Sequence, residues 1–268
     1  MTSWRACRAV VPELIWRDES PSTNAELVAR AMTDRLDDGT VLMTDTQTAG
    51  RGRLDRSWVA PPGAALAISV YLRPRDSAGA VLGLDRFSWI PLAAGVAMRQ
   101  ALAAALPRVE VGLKWPNDVL VDGRKLCGIL AELVPSGDAA VLGLGLNTTM
   151  TTAQLPVPTA TSLAVLGVEV DDRLLDDLVA EYLRGLRALV EDYARVGGDA
   201  EASGLADRAR EACSTLGRAV RVELPGDDVL EGTAVGLDSA GRLRIAPADG
   251  GAVVAVAAGD VTHVRHPS

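Results

Sequence analysis

The chain has 268 residues, 27 of them basic and 35 acidic, for a formal net charge of −8. That length holds one sizeable domain and a smaller one. The acidity argues against a protein whose main task is gripping nucleic acid, which needs a basic footprint.

Residues 14–18 read as a short strand. Thr23 with Glu26 reads as a capping box opening a helix to about residue 32, with Leu27, Val28 and Ala31 as its apolar face. A strand at 40–46 leads into an irregular Gly/Arg/Pro-rich segment, 47–63, longer than most connections and of the kind that is commonly functional or disordered. Residues 65–72 read as a buried strand, and 86–106 as an Ala-rich helix stopped by Pro107. A strand at 109–114 runs into Lys114-Trp115-Pro116-Asn117-Asp118. Segments 119–122, 125–134 and 139–146 then form an antiparallel meander, with turns at Asp122-Gly123 and Ser136-Gly137-Asp138. A loop at 148–161 precedes helices near 171–195 and 199–213. Beyond Gly217 the texture changes to short strands, 218–224 and 229–237 among them, with turns at Pro225-Gly226, Ala240-Gly241 and Gly250-Gly251. Such a run predicts a small β-barrel of SH3-like type. A mixed sheet with helices, followed by strands alone, predicts an α+β fold with domains at 1–213 and 214–268.

The three cysteines, Cys7, Cys127 and Cys213, have no CxxC spacing, and the only histidines are His263 and His266. Neither a disulfide framework nor a zinc site is expected, and no protein metal ligand is assigned. A histidine triad is not expected either. No run approaches the ~18 apolar residues of a membrane span, and no signal-peptide core opens the chain. No membrane partner and a cytoplasmic setting are therefore expected.

Only two residues are lysine, Lys114 and Lys125, against 25 arginines, and only three are asparagine: Asn24, Asn117 and Asn147. They cluster where other polar signals lie. In Gln47-Thr48-Ala49-Gly50-Arg51-Gly52-Arg53, glycines let the backbone approach an anion while guanidinium forks face it. Taken alone, GRGR reads more readily as a solvated basic loop. It is not a P-loop, because neither lysine follows a glycine. Residues 114–118 place Lys, Asn and Asp around a Trp-Pro turn. Read as a regular strand, Lys125 shares a face with Cys127 and Ile129, opposite Leu126, Gly128 and Leu130. Gly128 hints at a close approach. Gly143-Leu144-Gly145-Leu146-Asn147 lacks the rest of a dinucleotide fingerprint; its glycines leave room for a flat ligand.

In this order and spacing the segments are specific. The sequence resembles the biotin protein ligase family over almost its full length, through Ser22-Thr23-Asn24, Gln47 with GRGR at 50–53, KWPND at 114–118, KLCGIL at 125–130 and GLGLN at 143–147. The resemblance implies a class II synthetase-like catalytic domain of the biotin/lipoate ligase type with an SH3-like appendage. It implies an enzyme using ATP and biotin as substrates, with Mg²⁺, that forms biotinyl-5'-AMP and passes biotin to a lysine of a biotin carboxyl carrier protein. By the same resemblance Ser22, Thr23, Asn24, Gln47, Gly50, Arg51, Lys125 and Gly128 bind biotin. Arg51, Arg53, Arg56, Trp58, Lys114, Asn117 and Asn147 bind ATP or the adenylate, and Lys125, Arg53 and Asp118 are the catalytic candidates. Departures are Asp55, where the family loop commonly has glycine, Leu54 before it, and Cys127, where alanine is frequent.

A lipoate or octanoate ligase is the alternative, but its head group needs an apolar pocket. A biotin-responsive repressor carries a winged helix-turn-helix before the catalytic domain. Here about a dozen residues precede the first strand, so a monofunctional form with no nucleic-acid partner is expected, as monomer or weak homodimer. A nonenzymatic biotin-binding module is the remaining possibility.

Overall fold

The computed structural model describes residues 3–54, 56–224, 228–257 and 259–263. Asp55, the Pro225-Gly226 turn and His266 lie outside them.

A seven-stranded mixed sheet forms the larger part, in the order β1-β2-β5-β9-β8-β7-β6. Its strands are β1 (Leu14–Trp16), β2 (Val41–Thr44), β5 (Ala65–Leu72), β6 (Val111–Lys114), β7 (Asp118–Val121), β8 (Arg124–Leu133) and β9 (Ala140–Asn147). Only β1 and β2 pair in parallel; the rest is antiparallel, as the meander pattern predicts. Two short strands, β3 (Gly50–Arg51) and β4 (Ser57–Trp58), pair with each other inside the 47–63 segment.

Helix α2 (Thr23–Thr33) covers one face of the sheet through Leu27, which packs with Leu42 and Val141. Its cap differs from expectation. Ser22, extended at φ −158°, is the N-cap and accepts from the Ala25 N–H at 3.3 Å. Thr23 is already helical, so its hydroxyl is free for other partners, and Glu26 bonds Arg17 and Ser20 rather than closing a capping box. On the opposite face lie α3 (Ile90–Ala105) and α4 (Asp172–Arg195), with α5 (Leu205–Ala212) beside them. The expected start of α3 at Arg86 is a 3-10 turn, Leu84–Trp89; the α-helix begins at Ile90 with Pro91 in its first turn, where a missing N–H is harmless. A short helix the sequence reading did not foresee, α1 (Arg5–Arg8), is tied to α4 by Asp176, whose carboxylate accepts from the Ala6 and Cys7 N–H groups at 2.8 and 2.9 Å.

The C-terminal strands are β10 (Ala219–Glu223), β11 (Val229–Leu237), β12 (Leu243–Pro247), β13 (Val254–Val256) and β14 (Asp260–His263). They pair antiparallel in the order β13-β12-β11-β10-β14. The expected barrel is thus an open five-stranded sheet, with no pairing of β13 to β14 among the described residues. It is not a loose appendage. Val220, Val222, Leu243 and Ile245 belong to one apolar core with α3 and the large sheet. The indole N–H groups of Trp89 and Trp115 donate across the seam to the Ser239 and Gly241 carbonyls, at 2.8 and 3.0 Å. Buried tryptophan needs such acceptors for its one polar atom. No described helix is long and apolar enough to cross a membrane.

Candidate active site

A cavity of about 310 Å³ opens where the 47–63 segment lies across β8 and β9. Every candidate residue lines it except Gly50 and Lys114. Gly50 sits behind the wall: a Cβ there would lie 2.4 Å from Gln47 Nε2. Lys114 is close enough to His263 of the C-terminal sheet for its charge to act on that ring.

At one end, α2 delivers Ser22, Thr23 and Asn24. The Thr23 N–H donates to Gln47 Oε1 at 2.9 Å, which turns the Gln47 Nε2 toward Gly50. Asn24 Nδ2 donates to the Leu130 carbonyl at 3.1 Å and to Glu132 at 2.8 Å. Its Oδ1 lies 2.6 Å from the Ser69 hydroxyl, so Asn24 braces helix to sheet.

Lys125 departs from the regular-strand expectation. Val119 pairs with Cys127 but Leu120 pairs with Lys125, so Leu126 is an extra residue, a β-bulge. The Lys125 N–H donates to the Thr159 carbonyl and its own carbonyl accepts from Thr161 N–H, both at 2.8 Å, in place of the ladder to β9. Leu126 and Cys127 are consequently both buried, and Lys125 moves to the face of Gly128. A Cβ on Gly128 would lie 3.0 Å from the Lys125 Nζ. The ammonium sits 2.7 Å from Asp118 Oδ1 on the neighbouring strand.

Arg51 pairs with Glu132 at 2.9 Å. Both side chains are partly exposed, so the pair is worth only ~0–1 kcal/mol of stability and its effect is on geometry. Arg53 donates to Asn117 Oδ1 at 3.1 Å and to the Gly259 carbonyl at 3.4 Å, so the C-terminal part reaches the cavity. Leu54 takes φ 54°, left-handed backbone at the tip of the segment. The glycines of β9 leave room not for a ligand alone but for protein. A Cβ at Gly143 would meet Asn24 Oδ1 at 2.4 Å, and one at Gly145 the Trp58 indole at 2.7 Å. Asn147 donates to the Thr161 carbonyl at 2.9 Å and lines the cavity. Sequence reasoning missed Ser69, Glu132 and Gly259.

The pattern is a polar, uncharged end and a cationic wall beside a flat indole. The biotin/lipoate A/B protein ligase family profile matches residues 16–148, and that of the biotin protein ligase C-terminal domain matches 215–264. The biotin–[acetyl-CoA-carboxylase] ligase of Mycobacterium tuberculosis is 41% identical over 92% of this chain and 87% of its own length. The chain belongs to the biotin protein ligase family. Another biotin protein ligase relative, the bifunctional ligase/repressor BirA of Escherichia coli, is 34% identical over 84% of this chain and 66% of its own. Among solved biotin protein ligases, the Aquifex aeolicus protein in complex with biotin and ATP superposes with a TM-score of 0.70 at 26% identity. That match covers 95% of this chain and 100% of that one.

Proposed function

We propose that the chain is an ATP-dependent ligase that joins biotin to AMP and then transfers biotin to a lysine of a biotin carboxyl carrier protein. The observation that carries the reading is the bulge at Leu126, which turns Lys125 into a cavity whose far end is uncharged. Biotin has that polarity, with a neutral ureido head and an anionic tail. The relatives' names and their complexes with biotin and ATP support the reading.

In the first step a carboxylate oxygen attacks the α-phosphorus and pyrophosphate leaves. Two anions must meet, so Lys125, Arg53 and Arg56 offset their repulsion. A compact ammonium reaches oxygens of both partners where a planar fork would not. Ser22, Thr23 and Gln47 hold the head, and Trp58, Asn117 and Asn147 the nucleotide. Mg²⁺ would enter with the triphosphate, held by phosphate oxygens and water. In the second step the acceptor ε-amine attacks the acyl carbon, AMP leaves and the amine sheds a proton. Asp118 takes that proton once the substrates' anions engage Lys125.

Biotin-dependent exchange of labelled pyrophosphate into ATP tests the first step, and its absence would remove the reading. For the second, Asp118→Asn should slow transfer from preformed adenylate about a hundredfold, the usual weight of a general base. An undiminished single-turnover rate would reject that role. A lipoate ligase is disfavoured by the polar head end, and loading with lipoate in place of biotin would favour it. The setting we infer is cytoplasmic.

A further inference from the structure

Behind the cavity's polar end lies a hydroxyl that no substrate can touch. Ser69, on β5, is fully buried, with Oγ 2.8 Å from Thr23 Oγ1 and 2.6 Å from Asn24 Oδ1. Thr23 Oγ1 is also 3.1 Å from Gln47 Oε1. Those contacts outnumber the hydrogens available, since each hydroxyl has one. The direction of each bond follows. Asn24 Nδ2 is held by two acceptors, Leu130 O and Glu132 Oε2, so its Oδ1 must accept, and Ser69 gives its hydrogen there. Ser69 then has only lone pairs for Thr23, so the Thr23 hydroxyl donates inward to Ser69. Gln47 Oε1 keeps the Thr23 N–H. Every hydrogen of the relay Thr23→Ser69→Asn24→Glu132 therefore points away from the cavity, toward a carboxylate that also pairs with Arg51.

We infer that Ser69 is a positioning residue that holds Thr23 as a hydrogen-bond acceptor, so that this end of the cavity selects a head group presenting an N–H donor. The inference rests on the biotin-ligase reading and deepens it. A carbonyl or thioether in the same place would face a lone pair, which is the kind of mismatch that discriminates strongly in a buried site. Glu132 terminates the relay, and its tie to Arg51 is a separate matter of holding the loop.

A double-mutant cycle tests this, because coupling between Ser69 and Thr23 is what a merely structural serine would not show. Ser69→Ala and Thr23→Val are each expected to weaken biotin binding about tenfold, the effect of one such hydrogen bond. The double variant should also lose about tenfold, with the KM for ATP within twofold of wild type. A hundredfold, additive loss would overturn the inference, as would a Ser69→Ala enzyme that binds biotin normally. Glu132→Gln keeps an acceptor for Asn24 and should stay within twofold; a loss matching Ser69→Ala would show that the Arg51 pair orders the pocket instead. If Ser69→Ala fails to fold, Ser69→Cys, a weaker donor of similar size, should give an intermediate loss that is again absent in the Thr23→Val background; equal losses in both backgrounds reject the coupling. Failure of the wild type to exchange pyrophosphate would sink the ligase reading itself, whereas an active wild type with an uncoupled cycle sinks only the role of Ser69.

Discussion

Cys127 lies one position past the bulged Leu126, fully buried behind the Lys125–Asp118 pair. Burial first, and then the Asp118 charge, push its thiol up from about 9 to about 12. A thiol raised on folding leaves stability intact below pH 9 and takes it away as pH climbs toward 12, by about 1.4 kcal/mol per unit. Cys127→Ala should make the alkaline fall in melting temperature shallower; an unchanged alkaline limb would contradict this. Single residues also show what the sequence could have yielded. Ser69 is the lone aliphatic hydroxyl in a mostly apolar strand, ALAISVYL, and a buried polar atom at such a position needs a partner, so it was findable. Glu132 sat two positions past Leu130 in a strand already singled out. Gly259 carried no signal, because what reaches Arg53 is a backbone carbonyl, which every residue has.

At the scale of elements, periodicity located the strands of the large sheet and the order of the helices from α2 on, but not α1, β3 or β4. It failed where tertiary partners override the local rule. The bulge on β8 exists because a distant loop, at Thr159 and Thr161, takes the Lys125 backbone, and nothing near residue 126 announces it. The N-cap moved one residue, to Ser22, and Thr23 is left with its N–H on Gln47 and its hydroxyl on Ser69. Motif logic, which asks only for residue types at a spacing, survived both errors. The contact of β9 with β4 gives a test. An Ala methyl at position 145 would lie 2.7 Å from the Trp58 ring, and a side chain can yield where backbone cannot. Gly145→Ala should therefore displace the indole and raise the KM for ATP about tenfold, leaving the KM for biotin and the melting temperature near wild type. A matching rise for biotin would mean that Trp58 serves the head end instead.

Taken whole, the molecule is held at the seam between the large sheet and the C-terminal strands. There the His263 Nε2 lies 3.2 Å from Thr215 Oγ1, which itself accepts from the Trp115 N–H at 3.1 Å. Thr215 can then give its own hydrogen to a neutral imidazole. Burial first, then Lys114 and Arg218, hold the ring's pKa down, from 6.5 to about 4. A base depressed on folding lends stability that is complete above pH 6.5 and drains away as pH falls toward 4. Wild type should melt lower at pH 5 than at pH 7.5, and His263→Gln should narrow that gap; an equal gap in the variant would remove the histidine from the account. The wiring of the tryptophans has an optical consequence. Trp4 and Trp16 stack on each other, Trp89 and Trp115 are buried at the seam, and only Trp58 lines the cavity. Nucleotide arrival should quench or shift the emission of that one indole, so intrinsic fluorescence becomes a reporter of occupancy. Trp58→Phe should erase the ligand-dependent change while the four remaining emitters keep the folded spectrum.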